Sequence, residues 1–247
     1  MLLLSLFAVA AGAEQPPVRA SILVYHRFGP VVADEMTVRT GVFEDQLRWI
    51  EQRNYRIVPL QRMLGALRAP SSASLPDHAV VLTVDDGHAS VYRELFPLVK
   101  RHRFPLTLFI YPSAISNANY AMTWAQLAEM VASGLVEVQS HTFWHPNFNV
   151  ERKRLSSADY ERFVREQFVK SKAILEQRLG GMVDLLAWPF GIYDEQLMQW
   201  AQAAGYRAAF TIERRPATRA DNLMALPRYL VVDADRGTRF EALLGGR

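Results

Sequence analysis

Residues 80–87 read Val-Val-Leu-Thr-Val-Asp-Asp-Gly, an apolar, β-branched run that ends in two carboxylates and a glycine. The apolar part has the composition of a buried strand. Adjacent residues on a regular strand point to opposite faces, so Asp85 and Asp86 can serve one site only where the strand breaks. Gly87 permits that break. Alone, Asp-Asp-Gly is more often a turn that caps a helix, so the rest of the chain has to decide.

The rest of the chain alternates short apolar runs with longer segments whose apolar residues are three or four positions apart. The runs predict strands at 21–25, 80–84, 106–111, 136–139, 185–188, 208–212 and 229–232. The longer segments predict helices at 42–53, 60–67, 91–102, 124–133, 158–179, 195–204 and 239–244. This order indicates an α/β fold with a parallel sheet, and seven strands favour a distorted, incompletely closed (β/α)7 barrel.

Length and composition favour a single domain. The chain has 247 residues, 50% of them hydrophobic, which is enough for one sizeable core. We expect that domain to span residues 20–247. A boundary in the small-residue stretch 70–74 is the weaker alternative, because the segment before it is too short for a core of its own. With 28 Lys and Arg against 25 Asp and Glu, and with no basic run, the chain is not expected to bind nucleic acid.

The N-terminal stretch 1–13, Met-Leu-Leu-Leu-Ser-Leu-Phe-Ala-Val-Ala-Ala-Gly-Ala, is apolar and ends in a small-x-small pattern. This is typical of a signal peptide, although no Lys or Arg precedes the apolar run. It is too short for a spanning helix, so we expect an exported, periplasmic or secreted protein without a transmembrane anchor. The chain has no cysteine, so any metal ion must be bound through nitrogen and oxygen.

Chemically reactive side chains follow the predicted strands. His26 follows the first strand, Asp85 and Asp86 the second, His141 the fourth and 189–191 the fifth. The carboxyl ends of parallel strands meet at one edge, and active sites of such folds lie there. These groups are therefore expected to converge on one mouth.

The segment Ser-His-Thr-Phe-Trp-His-Pro at 140–146 holds two imidazoles four positions apart. On a single turn they can present two nitrogens to one metal ion, although a pair of ordinary surface histidines is an equal alternative for this segment read by itself. With Asp86, His141 and His145 make a set of two imidazoles and one carboxylate. Such a set leaves coordination positions open for water and substrate, as a catalytic metal ion requires.

Thr-Val-Asp-Asp-Gly at 83–87, Ser-His-Thr-Phe-Trp-His at 140–145 and Leu-Ala-Trp-Pro-Phe-Gly at 186–191 resemble, in order and spacing, the first three motifs of the polysaccharide deacetylases, the NodB-homology or family 4 carbohydrate esterases. The resemblance implies that Asp85 is the general base. It implies that Asp86, His141 and His145 bind a divalent metal ion, with zinc as the expected ion. One wall of the sugar groove would be formed by Trp188, Pro189, Phe190, Gly191 and Tyr193.

The chain departs from the family pattern in two places. Ala187 stands where the family usually has an arginine that holds the base, and no histidine follows His145. The first strand instead ends in His26, so the chain resembles the circularly permuted branch that includes poly-N-acetylglucosamine deacetylases. That resemblance implies that His26 is the general acid. Three charged residues near the last predicted strand could orient His26 or Asp85, but surface ion pairing is the favoured interpretation: Arg228, Asp233 and Asp235.

The resemblance implies a hydrolase that removes N-acetyl groups from an amino-sugar polysaccharide and releases acetate. An inactive protein of the same fold that only binds glycan is the alternative, because the usual arginine is missing. Glycosidase chemistry at Asp85 and Asp86 is weaker, since it leaves the histidine pair unexplained. The sequence does not distinguish among acetylated polymers or among metal ions that accept nitrogen and oxygen ligands.

Export gives the first testable prediction. If residues 1–13 are a signal peptide, the mature protein from its native host begins near Glu14 and lies outside the cytoplasm. N-terminal sequencing of the protein from cell fractions checks this, and cytoplasmic protein that still carries Met1 would contradict it.

Overall fold

The computed structural model describes residues 19–68, 75–76 and 78–245. The predicted signal peptide and the stretch 70–74 therefore lie outside the described residues. The strands are β1 (Arg19–Tyr25), β2 (Arg27–Gly29), β3 (Thr37–Arg39), β4 (Arg56–Ile57), β5 (Ala79–Asp86), β6 (Leu106–Ile110), β7 (Val136–Ser140), β8 (Leu185–Ala187), β9 (Ala208–Phe210), β10 (Ala217–Thr218) and β11 (Tyr229–Leu230). The helices are α1 (Thr40–Gln52), α2 (Leu60–Arg68), α3 (Phe96–His102), α4 (Trp124–Ala132), α5 (Phe148–Arg154), α6 (Ser157–Leu179), α7 (Glu195–Ala203) and α8 (Thr238–Gly245).

One curled sheet organises the fold, in the order β10-β1-β5-β6-β7-β8-β9, with β4 beside β5 and β11 beside β1. All pairings are parallel except that of β1 with β10. β11 pairs with β1 through Leu23 and Tyr229, whereas the contact back to β9 is one bridge between Phe210 and Leu226. The closure is therefore partial, and the expected incompletely closed α/β barrel is confirmed.

The two faces of the sheet belong to different apolar clusters. Leu82 and Val84 of β5 lie in the larger cluster, which also contains core residues of most of the helices. Val81 lies in a second cluster together with Phe109 and Met63 of α2. Since alternate residues of a strand share a face, Asp85 continues the row of Val81, on the face opposite the larger cluster. The alternation thus places this carboxylate toward the barrel interior.

The predicted helix 91–102 is divided in two. Residues Val91–Leu95 form a π-helical segment, and α3 begins at Phe96. Pro97 has no backbone N–H, so it cannot complete the regular hydrogen-bond ladder, and a wider turn precedes it. Helix α5 was not predicted. It has seven residues and begins after Asn147, whose side chain accepts a hydrogen bond from Val150 N at 3.1 Å.

The longest helix, α6, has 23 residues but carries charged residues along its length. Within the described ranges no helix is both long and apolar enough to cross a bilayer.

Candidate active site

The adjacent aspartates lie at the point where β5 breaks. Asp86 has a φ of 76° and Gly87 a φ of 92°, so the backbone turns sharply directly after Asp85. A Cβ on Gly87 would lie 3.0 Å from Ile110 Cδ1, which leaves no easy room for a side chain. The strand breaks where the sequence predicted, and neighbouring carboxylates can both face the mouth.

Asp85 is paired with an arginine in the interior. Arg228 donates to Asp85 Oδ1 from Nη1 at 2.8 Å and to Oδ2 from Nη2 at 2.7 Å. The arginine is 0% exposed and the aspartate 2%. The guanidinium also donates from Nε to Thr211 O at 3.0 Å and lies over the rings of Phe109 and Phe210. Each nitrogen of this buried guanidinium therefore has a hydrogen-bond acceptor, and two of the three bind the same carboxylate in a bidentate arrangement.

This pair controls the ionisation of Asp85. Burial raises the pKa of the carboxyl, but the positive charge of Arg228 and its hydrogen bonds act in the opposite direction, and the pKa lies below its ordinary value. Asp85 is thus a carboxylate at neutral pH although it is almost completely buried.

The interpretation of Arg228 as a surface ion-pairing residue was wrong, because its side chain is fully buried on the base. Asp233 does form an ion pair, in which the side chain of Arg39 donates to both of its oxygens. Asp235 pairs with Arg214 at 2.7 Å but is 0% exposed, so it is not a surface pair either. An arginine within the apolar run 225–232 was the available signal, since a charge in such a run needs a buried partner.

A second group of side chains gathers around Asp86. His141 Nε2 lies 3.6 Å from Asp86 Oδ1, and His145 Nε2 lies 3.8 Å from the same oxygen. The three ligand atoms lie within 4.8 Å of one another, and no other cluster of this kind occurs among residues 19–68, 75–76 and 78–245. His145 and Thr142 have φ values of 63° and 66°, so the segment after β7 is a tight loop. The set predicted from sequence is brought together.

His141 presents a lone pair rather than a proton to this cluster. His141 Nδ1 lies 2.8 Å from Ala187 O, and because a carbonyl only accepts, Nδ1 carries the proton and Nε2 is free. Burial lowers the pKa of His141 to about 4, and burial together with the neighbouring His141 lowers the pKa of His145 to about 4. Both imidazoles are therefore neutral at pH 7.

The donor set fits a divalent cation. Asp86 Oδ1 is buried and has no hydrogen-bond partner within the described structure, which is costly for a carboxylate oxygen unless a cation satisfies it. Two neutral imidazole nitrogens and one carboxylate oxygen are ligands that zinc and other borderline metal ions accept. Ala187, in the place of the expected arginine, contributes the carbonyl that orients His141.

His26 belongs to the same mouth. It follows the end of β1 and interacts electrostatically with Asp85, His141 and His145. Its Nδ1 is buried without a hydrogen-bond partner in the part of the chain that is described. The structure thus places His26 beside Asp85 and the two imidazoles.

The predicted sugar-groove residues divide into two kinds. The Phe190 ring is 56% exposed, and its centroid lies 4.5 Å from that of His145. Trp188 is 1% exposed and donates from Nε1 to Met224 O, so its ring packs in the core rather than against a ligand, contrary to the expectation. Pro189 is buried as well, and a Cβ on Gly191 would lie 2.6 Å from Ile212 Cγ1. The Tyr193 hydroxyl bonds to Glu213.

Tyr111 is a mouth residue that the sequence analysis missed. Its ring centroid lies 5.4 Å from that of His145, and its hydroxyl lies 2.9 Å from that of Tyr120, which is 47% exposed. The position directly after β6 was the available signal, because it is a strand end like the others. Tyr111 and Phe190 thus both flank the ring of His145.

A half-closed parallel barrel with these two groups at its mouth has the donor set of a metal-dependent hydrolase. A family model described as polysaccharide deacetylase matches residues 72–209. The chain therefore belongs to the polysaccharide deacetylase family, as the motifs indicated.

Relatives with curated names support the family. A poly-beta-1,6-N-acetyl-D-glucosamine N-deacetylase of Escherichia coli is 26% identical over 259 residues, which cover 90% of this chain. The chain spans only 38% of the length of that relative. A protein of the same name from Staphylococcus aureus is 23% identical over 201 residues, covering 80% of this chain and 68% of its own.

Solved structures support the fold. The IcaB structure from Ammonifex degensii superposes with a TM-score of 0.77 and 27% identity, covering 93% of this chain and 98% of that one. The Streptococcus pyogenes deacetylase PplD, solved in complex with acetate, has a TM-score of 0.79 and 23% identity, with coverages of 93% and 99%.

The buried pair of Asp85 and Arg228 gives the second prediction. Arg228→Met leaves a buried carboxylate without its partner and lowers the free energy of unfolding at pH 7 by about 3 to 5 kcal/mol. Arg39→Met is the matched control, because its pair with Asp233 is partly exposed; it is expected to lose less than about 1 kcal/mol. Urea unfolding measures both.

The pH dependence distinguishes this pair from mere packing. A carboxyl with a lowered pKa stabilises the fold above its unfolded pKa, and the stabilisation is lost as the pH falls through the folded value. In Arg228→Met the Asp85 carboxyl takes up a proton more readily. The difference in free energy of unfolding between the unaltered protein and the variant therefore becomes smaller as the pH falls from 7 to 4. If this difference stayed constant over the range, the ionised pair of Asp85 and Arg228 would be contradicted.

Proposed function

We propose that the chain is a metal-dependent deacetylase that hydrolyses N-acetyl groups on an amino-sugar polysaccharide, leaving a free amine and acetate. The observation that carries the proposal is the mouth itself, where an arginine-held carboxylate, Asp85, lies beside a carboxylate whose buried oxygen lacks a partner, Asp86. The names of the relatives suggest poly-β-1,6-N-acetylglucosamine as the substrate. We also propose that the protein is exported, since the predicted substrate is a polymer outside the cytoplasm.

Asp86, His141 and His145 would hold the metal ion, with zinc as the expected species. When bound, such an ion supplies a Lewis acid that polarises the acetyl carbonyl and lowers the pKa of water. The neutral state of both imidazoles at pH 7 supports this role, because a protonated histidine cannot be a ligand.

Asp85 is proposed as the general base. It is ionised at neutral pH because Arg228 holds both of its oxygens, and it lies 3.9 Å from His141 Nε2, beside the ligand set. In this role its carboxylate takes the proton of the attacking water as the new carbon–oxygen bond forms. Arg228 fixes the carboxylate in one orientation and thus acts as a positioning residue.

His26 is proposed as the general acid. The departing amine needs a proton when the carbon–nitrogen bond breaks, and histidine is the side chain best suited to donate one near neutral pH. The unpartnered Nδ1 supports this role, since no hydrogen bond in the described structure competes for it. A protein that only bound glycan would need neither the unpartnered Nδ1 of His26 nor the bidentate hydrogen bonds from Arg228 to Asp85.

Phe190 is proposed as the contact for the sugar ring. Its exposed face and its place beside His145 suit stacking on a pyranose. Pro189 and Gly191 shape the backbone at this wall, and Tyr193 braces it through Glu213. Trp188 supports the wall from the core, through its contacts with Phe168 and Tyr193.

The ligand set gives the third prediction. His145→Ala and Asp86→Asn should each reduce bound divalent metal, which is about one ion per chain in the unaltered protein, by roughly tenfold or more, with loss of acetate release. Asp85→Asn should keep the metal and lower kcat by about a hundredfold or more. Elemental analysis and acetate release from poly-β-1,6-N-acetylglucosamine oligomers measure these effects.

His102→Ala is the control for the metal measurement, because His102 lies at the end of α3 and contacts Glu51 at the surface. It should keep both metal and activity. Equal metal loss in Asp85→Asn and Asp86→Asn would mean that the two aspartates are wrongly assigned. Full activity of a metal-free preparation would refute metal dependence.

His26 gives the fourth prediction. His26→Ala should leave the metal content unchanged and lower kcat by about a hundredfold, because the amine leaves without a proton donor. The pH profile of kcat should lose the limb that falls on the basic side. A variant with near-normal turnover and an unaltered profile would remove His26 from the mechanism.

A further inference from the structure

A groove of about 550 Å³ lies on the protein away from the mouth. Arg19, which lines it, begins β1, whereas His26 follows the opposite end of that strand. Its lining includes four arginines from three separate segments of the chain: Arg19, Arg214, Arg215 and Arg239. Neither the deacetylase motifs nor the proposed mechanism uses these residues.

The accessible groups of this groove are hydrogen-bond donors. Asp235 is the one carboxylate among the described lining residues, and it is 0% exposed because Arg214 Nη2 and the Val232 backbone N–H donate to it. The side chains of Arg214, Arg215 and Arg239 are 45%, 46% and 66% exposed. A ligand that enters therefore meets guanidinium groups, while the compensating carboxylate is hidden.

Two of the four arginines have no carboxylate within hydrogen-bonding distance among the residues that the structure describes. Arg19 makes no side-chain hydrogen bond or ion pair within residues 19–68, 75–76 and 78–245, and Arg239 reaches Asp235 only at 3.9 Å. Arg215 is neutralised in part by Asp221 and Glu213. Arg19 and Arg239 thus add positive charge that no hydrogen-bonded carboxylate of the described residues compensates, which favours binding of an anion beside them.

Tyr229 adds a neutral donor at the same place. Its side chain is 7% exposed, and its hydroxyl makes no hydrogen bond within the described residues. Burial raises the pKa of this hydroxyl, and the charges of Arg19, Arg214 and Arg215 act in the opposite direction. Because the phenol keeps its proton at neutral pH, it can donate to an anion.

We propose that this groove binds a phosphate group. A phosphate offers several acceptor oxygens in a tetrahedral arrangement, which suits guanidinium forks and a hydroxyl that converge from different segments. A phosphate monoester or diester fits the chemistry equally, so the group comes either from a soluble phosphorylated molecule or from a lipid headgroup. The site stands independently of the proposed deacetylase activity.

Titration of the full chain with inorganic phosphate at low ionic strength, followed by calorimetry, tests the site. We expect saturable binding that Arg19→Gln/Arg239→Gln weakens by about tenfold or more. Arg101→Gln/Arg162→Gln removes the same charge from exposed positions elsewhere, 65% and 73% exposed, and should change the affinity less than twofold. Tyr229→Phe removes only the hydroxyl and should weaken binding by a smaller factor.

A second arm uses vesicles of phosphatidylglycerol in phosphatidylcholine, with pure phosphatidylcholine as the blank. Vesicle binding that the groove variant loses and the control variant keeps, without binding of free phosphate, assigns the ligand to a lipid headgroup. Equal weakening in both double variants would mean that net charge rather than the groove binds the anion. That result, or saturable binding in neither arm, would overturn the proposal.

Discussion

The buried pair of Asp85 and Arg228 is the interaction on which both the fold and the site depend. The two residues are 143 positions apart in the chain. Asp85 lies on β5 and Arg228 directly precedes β11, and these two strands are not hydrogen-bonded to each other. From one guanidinium, bonds reach Asp85, the Thr83 hydroxyl and Thr211 O. The barrel closes only through the short strand β11 and the single bridge at Leu226. The pair connects this closing segment, which contains Arg228, to β5 through the barrel interior. Because every polar atom has a partner, the buried charges are tolerated.

The mouth also holds backbone strain. Asp86, Thr142, His145 and Phe190 are non-glycine residues with φ between 57° and 76°. Such conformations each cost of the order of 1 kcal/mol or more and persist only where the surroundings determine them. Here the surroundings do so, since Thr142 Oγ1 accepts from the His145 N–H and Ile110 O accepts from the His141 N–H. These hydrogen bonds fix the backbone positions from which His141 and His145 project.

The seven principal strands and the set of mouth residues could be predicted because both follow from local rules. Apolar runs mark strands, and parallel strands bring their carboxyl ends to one edge. The role of Arg228 could not be predicted in this way, since its partner lies 143 residues away and no spacing rule connects them. Trp188 was misjudged for a different reason. It continues the alternation of β8, so its ring lies on the face of Leu186, in the cluster that packs against helices, and not on the face of Ala187.

Two adjacent residues of the same type have different chemistry because one strand break gives them different neighbours. Asp85 stays in the alternation of β5, so its charge is neutralised by Arg228 from the barrel interior. Asp86 begins the turn, where its Oδ1 meets two neutral imidazoles and no hydrogen-bond donor in the described structure. If both had an arginine partner, neither would attract a cation, and if neither had one, two buried like charges would raise each other's pKa. The break at Gly87 thus sets side by side a carboxylate whose charge Arg228 compensates and a carboxylate whose Oδ1 has no hydrogen-bond donor in the described structure.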